Sequence, residues 1–227
     1  VIGGVIGFGM MKKTGNKTAD IVKIGGVFDT SGNVSAYGQA EQKGANFAVK
    51  RINAAGGVKV DGKTYKFKMV NKDSKSDNTE AASVTTNLIN NNQVNAIVGP
   101  VVTSAVQAAI PSATKGKTPV ISPTAGADSI TVQKNGTVQP YIFRAQFKNS
   151  YLGTKMAKFA TDTIKAKNVI VFQENSSDYG TGITAAFKKA YTGNIVETDS
   201  YQAGDTDFQA ILTKIKNKKF DAIIING

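Results

Sequence analysis

Residues 95–122 read NAIVGPVVTSAVQAAIPSATKGKTPVIS, and this stretch decides the fold. An apolar run at Asn95–Val98 ends in Gly99-Pro100, a helical pattern spans Thr103–Thr114, and a second apolar run follows at Pro119–Ser122. Short apolar runs without alternation mark strands buried on both faces. A helix between two such strands is a βαβ unit, which builds a parallel sheet with a right-handed crossover.

The pattern continues in both directions. Toward the N-terminus, Ile21–Phe28 is a buried strand, and Tyr37–Ala55 is a helix stopped by Gly56-Gly57. Its apolar stripe is expected to be Ala40, Gly44, Ala48 and Ile52. Thr64–Asn71 alternates Tyr65, Phe67 and Met69 with Lys66 and Lys68, so it is expected at a sheet edge with one wet face. Asp77 with Glu80 forms a capping box for a helix that turns Ala81, Val84, Leu88 and Ile89 inward. Toward the C-terminus come an irregular stretch over 123–140 and a strand at Tyr141–Arg144. A helix over 150–166 then has Leu152, Met156, Phe159 and Ile164 inward. Strand Asn168–Phe172, helix 180–192 and strand Ile195–Tyr201 follow. The last helix covers 206–217, opened by Thr206 with Gln209 as its box partner, and the last strand is Phe220–Asn226. Two runs of strands that break near 141–146 predict an α/β chain of two doubly wound parallel-sheet lobes, 20–143 and 144–227. The final strand has no crossover helix after it to cover its face, so the chain is expected to be truncated within the second lobe.

Composition narrows the chemistry. The 227 residues include no Cys and no His, which removes disulfide frameworks, thiolate nucleophiles, histidine-dependent triads and the usual zinc sites. No Walker lysine loop, nucleophile elbow or metal triad is present. No cofactor is expected. The net charge is +12, but only Arg51 and Arg144 are arginines among 28 cations. Base-edge reading and bidentate phosphate clamps lean on arginine, so nucleic acid is not the expected partner. A basic surface also suits a protein that lives near an anionic wall or lipid surface. Residues 1–11, VIGGVIGFGMM, precede Lys12, Lys13 and Lys17. Eleven residues are too few for a spanning helix, which needs about 20. Residues 1–19 therefore read as the remains of a signal or anchor with a polar spacer, and an extracytoplasmic or cell-surface location follows. The glycines of this run lack the strand and helix that a dinucleotide loop requires.

Ligands of open parallel sheets sit beyond the carboxyl ends of the strands. The loops there carry Asp29-Thr30-Ser31 leading to Tyr37, Thr103 with Ser104 at a helix start, Thr124-Ala125-Gly126, and Glu174 to Tyr179. Unpaired amides and the dipole at a helix N-terminus favour an anion such as a carboxylate. Taken singly, Thr103 also reads as a helix cap and Thr124 as a turn residue. Glu174, Asp178 and Asp128 read as capping or solvated carboxylates, and Asp205-Thr206-Asp207 as acidic charge at a helix N-terminus.

Five segments in order carry a resemblance: IVKIGGVFDTSGNVSAYGQAEQKGANFAVKRINAAGGV, IVGPVVTSAVQAA, TPVISPTAGADSIT, FQENSSDYGTGITAAFKK and GDTDFQAILTKIK. Together they resemble the branched-chain amino-acid-binding family, the type I extracytoplasmic solute receptors of ABC importers. The resemblance implies a free amino acid in an interlobe cleft, and a membrane permease and an ATPase as partners. It implies Thr103, with Ser104, at the ligand carboxylate, the Thr124-Ala125-Gly126 loop at the carboxylate and ammonium, and Tyr37 and Tyr179 as walls from the two lobes. The family commonly carries Thr where this chain has Gly126, and its acidic partner for the ammonium lies beyond residue 227. A sensor domain of the same fold and an α/β enzyme are the competing readings.

Overall fold

The computed structural model describes residues 19–226; the expected signal remnant and Gly227 lie outside the described residues. Among the described residues, nine strands and six α-helices follow in the order β1 (Asp20–Phe28), α1 (Ser35–Ala54), β2 (Val58–Val60), β3 (Lys63–Asp73), α2 (Asn78–Asn90), β4 (Ala96–Val98), α3 (Thr103–Gly116), β5 (Val120–Ser122), β6 (Ile142–Arg144), α4 (Asn149–Lys158), β7 (Asn168–Glu174), α5 (Asp178–Ala190), β8 (Asn194–Tyr201), α6 (Gln209–Ile215) and β9 (Ala222–Asn226). They form two sheets, as the broken strand series predicts. The first has the order β2-β3-β1-β4-β5-β6, and the second β8-β7-β9. Every pairing is parallel except the β2–β3 hairpin.

The first sheet has its core on Val27, Ile97 and Val120, packed against Val84 and Leu88 of α2 and Val106 and Ala113 of α3. Asp77 caps α2 as expected, its carboxylate accepting from the Glu80 N–H at 2.7 Å. In the second unit Val169 and Val171 pack under Ala157, Phe187 and Tyr191 on one face. Ile170 and Phe172 meet Ile215 of α6 on the other.

Three local expectations are corrected and one is refined. β3 lies at the sheet edge along Lys66–Asp73, as expected, but its first three residues, Lys63–Tyr65, are covered by β2 through an Asp61-Gly62 turn in which both residues take positive φ, a hairpin signal. α1 presents a different ridge. Ala40, Gly44, Ala48 and Ile52 are exposed, whereas Gly38 is buried and Glu41, Ala45, Val49 and Asn53 are half-buried. Two tethers choose that ridge. A Cβ on Gly38 would lie 2.2 Å from the Asp29 carbonyl oxygen, and the Asn53 amide bonds both the carbonyl and the N–H of Phe67 in β3. In α4 the buried face is made of small residues, Gly153 and Ala157, continued by Ala160 in the π-helical turn Phe159–Thr163. That turn carries Phe159 and Ile164 to the surface, 57% and 47% exposed. α6 starts at Gln209, where the Asp207 carboxylate accepts from the Gln209 N–H, so Thr206 is not its cap.

Candidate ligand-binding site

The carboxyl ends of β1, β4 and β5 bring together the loops that carry the first-lobe candidates. β4 ends at Gly99, which takes φ +95° against Val27; a Cβ there would meet the Val27 carbonyl oxygen at 2.0 Å. This close turn delivers the chain to the start of α3. Thr103 is the first helical residue, and the N-cap is Val102, which makes no side-chain cap bond. The reading of Thr103 as a cap is thereby excluded. Its hydroxyl is buried, with the residue 3% exposed, and has no hydrogen-bond partner. A buried, unpartnered hydroxyl beside free helix amides costs free energy unless something arrives to meet it. Ser104 is half-buried beside it.

The β4–α3 loop and the loop after β5 are stitched together. Ser122 donates its hydroxyl to the Pro100 carbonyl at 2.6 Å and accepts from the Ala125 N–H at 3.1 Å. The Thr124 hydroxyl lies 2.7 Å from the Val101 carbonyl oxygen and 2.5 Å from Glu41 Oε1. Thr124 is therefore turned toward α1. Ala125 and Gly126 are buried. A Cβ on Gly126 would lie 2.2 Å from Asn149 Oδ1, so the Asn149 side chain occupies the place of a larger residue. Asn149, 2% exposed, donates its backbone N–H to Gly126 and its amide to the Tyr179 carbonyl.

Two carboxylates lie under these loops. Asp29, at the end of β1, is fully buried and neither oxygen has a hydrogen-bond partner. Burial pushes its pKa up; Ser74 and Ser76 beside it offset part of that without reaching bonding geometry, and Asp73 adds to the rise. Glu41 is likewise pushed up by burial, with Thr124 opposing and Asp29 reinforcing the shift.

From the second unit, α5 presents its first turn to these loops. Burial raises the Tyr179 phenol, and nearby Tyr37 adds to the shift. Tyr37 itself is 66% exposed. Asp178 Oδ2 accepts from Gln107 of α3 at 2.8 Å and from Ser129 at 2.7 Å, a direct polar link between the lobes. Glu174 is 5% exposed and turned back on its own loop, accepting from Ser176 and Ser177. Surface concavities of about 500 Å³ lie on the outer face of α2 and against the Gln107–Ser129–Asp178 link between the lobes. Among the described residues, no group of three or more acidic side chains converges to hold a metal ion. No helix among them is long and apolar enough to cross a membrane.

The fold places Thr103, Ser104, the 124–126 loop and the two tyrosines, all expected from the sequence, at the carboxyl-end side of the sheets. Glu41, Asn149, Gln107 and Ser129, which contact these loops or Asp178, carry no expectation from the sequence. Glu41 was findable as a carboxylate one turn after Tyr37, and Asn149 as the first helical residue after the crossing between sheets.

The family profile of periplasmic binding proteins matches residues 21–227. This chain belongs to that family. Its fold agrees with solved members. The branched-chain amino acid transporter substrate binding protein of Streptococcus pneumoniae, solved with isoleucine, is 47% identical with a TM-score of 0.82, over 91% of this chain and 57% of that one. A solute binding protein of Rhodopseudomonas palustris, solved with 3,4-dihydroxybenzoic acid, is 28% identical with a TM-score of 0.76, over 91% of this chain and 54% of that one. The leucine-specific-binding protein of Salmonella typhimurium is 29% identical over 212 residues, 92% of this chain and 55% of its own length. The chain thus spans about half the length of the relatives it matches.

Proposed function

We propose that the protein is the extracytoplasmic solute receptor of an ABC importer and binds a free branched-chain amino acid between lobes divided near residues 143 and 144. The observation that carries this reading is the Thr103 hydroxyl, buried and unpartnered at the start of α3. A carboxylate placed there accepts from that hydroxyl, from the free amides of the first helical turn and from the Gly126 N–H of the adjoining loop, with the helix dipole adding attraction. Tyr37 and Tyr179 wall the ligand from the two sides. A ligand that touches both lobes favours the closed arrangement by its differential contacts and needs no catalysis. The closed form then docks on a membrane permease driven by a separate ATPase. The receptors from Streptococcus and Salmonella named above support an aliphatic amino acid as ligand.

The Rhodopseudomonas relative favours a second reading, in which an aromatic carboxylate takes the same anion site. Titration calorimetry on the full-length chain separates them, using isoleucine, leucine, valine, benzoate and 3,4-dihydroxybenzoate. Tight binding confined to the aliphatic amino acids is expected. Binding of the benzoates alone transfers the site to the second reading, and binding of none removes the receptor assignment.

A further inference from the structure

The contacts of Thr124 pose a proton-counting problem. Its hydroxyl carries one hydrogen, yet it lies 2.7 Å from the Val101 carbonyl oxygen and 2.5 Å from Glu41 Oε1. The carbonyl can only accept. If Thr124 donates to Val101, the shorter contact to Glu41 needs a second hydrogen, and the carboxyl group is its source. A protonated Glu41 donates to Thr124, which then donates onward to Val101, and both contacts are satisfied. We infer that Glu41 is held as a neutral acid that positions the Thr124 loop, making ligand binding at that loop dependent on a proton that the ligand never touches.

The surroundings agree with the geometry. The other Glu41 oxygen, Oε2, is buried and has no partner, a costly state for a charged carboxylate. The charged group that bears on Glu41 is Asp29 at the end of β1, itself buried and unpartnered, and Asp73 bears in turn on Asp29. Two carboxyl groups so placed resist ionising together. Burial raises both, against the opposing effect of Thr124 on Glu41 and of Ser74 and Ser76 on Asp29. With its one hydrogen committed to Val101, Thr124 acts on the ligand through the backbone it fixes, at Ala125 and Gly126. Glu41 is therefore a positioning residue, and so is Thr124. Loss of the Glu41 proton frees the Thr124 hydroxyl to turn toward the new charge, and its grip on the β4–α3 loop is lost.

This inference rests on the proposed binding reading only for its consequence, and two measurements keep them apart. The first needs no ligand: a carbon-detected NMR titration of the Glu41 carboxyl in the full-length chain, repeated in Asp29→Asn. A midpoint clearly above the ordinary glutamate value of about 4.3 is expected in both. A midpoint at that value overturns the inference whatever the protein binds. The second titrates isoleucine between pH 5 and 8 into wild type, Glu41→Gln and Glu41→Ala. Glutamine carries the needed N–H at every pH, so it should bind as wild type does at pH 5 and stay flat. Wild-type affinity should fall above the Glu41 midpoint by up to about tenfold per pH unit, the limit for one linked proton. Alanine should be about tenfold weaker throughout. A wild-type profile as flat as that of the glutamine variant overturns the inference. So does a glutamine variant as weak as alanine. Failure of wild type to bind isoleucine at any pH falls on the receptor reading, and the NMR titration still decides Glu41.

Discussion

At the scale of single residues, Thr103 offers a clean separation of binding from folding. Valine has the same shape without the hydroxyl, and replacing a buried unpartnered polar group by an apolar one is neutral or stabilising. Thr103→Val should therefore melt at or above the wild-type temperature while losing roughly 1.5–3 kcal/mol of affinity, about ten- to a hundredfold, for isoleucine. Thermal melts beside calorimetry check both halves; a destabilised variant with unchanged affinity would return Thr103 to a structural role. Gly126 makes the converse case. Even an alanine Cβ would meet Asn149 Oδ1 at 2.2 Å, and Asn149 is tied to Tyr179. Gly126→Ala should cost about 1–3 kcal/mol in denaturant melts, as overpacking does. The added removal of Asn149 to alanine should make the pair less than additive. Thr103 was legible because its position follows from the strand and helix pattern alone. Asn149 was not, because it meets Gly126 across 23 positions of chain, a proximity no local pattern carries. Glu41 reads as ordinary helix-surface charge until the α1 ridge is known.

At the scale of elements, the first turn of α5 is bonded to the other lobe through Asp178. Asp178 receives hydrogen bonds from Gln107 of α3 and from Ser129, both in the other lobe. Asp178 and Ser129 are exposed and Gln107 is half-buried, so the link is worth only about 0.5–1.5 kcal/mol. Asp178→Ala should leave stability unchanged and weaken isoleucine binding by about two- to tenfold, almost wholly through faster release. Stopped-flow dissociation measures this, and an unchanged release rate would make the contact incidental. The order of strands and helices was readable throughout, because buried parallel strands and capped helices leave strong local patterns. The faces of helices were less so. Both 40-44-48-52 and 38-41-45-49 fit the period of α1, and only the approach of Gly38 to Asp29 and the tether of Asn53 to β3 choose between them. In α4 the π-helical turn breaks the 3.6-residue period on which the placement of Phe159 and Ile164 relied.

At the scale of the whole molecule, the carboxylates near the first-lobe loops pull stability in opposite directions with pH. Burial would raise Asp73, but bonds from the Ser31 hydroxyl and the Lys75, Ser31 and Thr30 backbones outweigh it and hold its pKa at about 2. A depressed carboxylate stabilises the fold above its unfolded pKa and loses that contribution as pH falls through the folded one. Asp29 and Glu41 are raised, so their contribution is present in acid and is lost as pH rises through their folded values. Thermal melts across pH should thus show an acid limb, between about pH 4 and 2, that Asp73→Asn flattens. An acid limb identical in that variant would assign it to other groups.

The central claim is that an amino acid sits between the lobes with its carboxylate on the start of α3. A crystal structure of the full-length chain grown with isoleucine tests it most directly. The account predicts the ligand carboxylate within hydrogen-bond distance of Thr103 Oγ1 and of the Gly126 N–H, with Tyr37 and Tyr179 against the ligand on opposite sides. Isoleucine bound anywhere else, or at this site with the Thr103 hydroxyl still unpartnered, would contradict it.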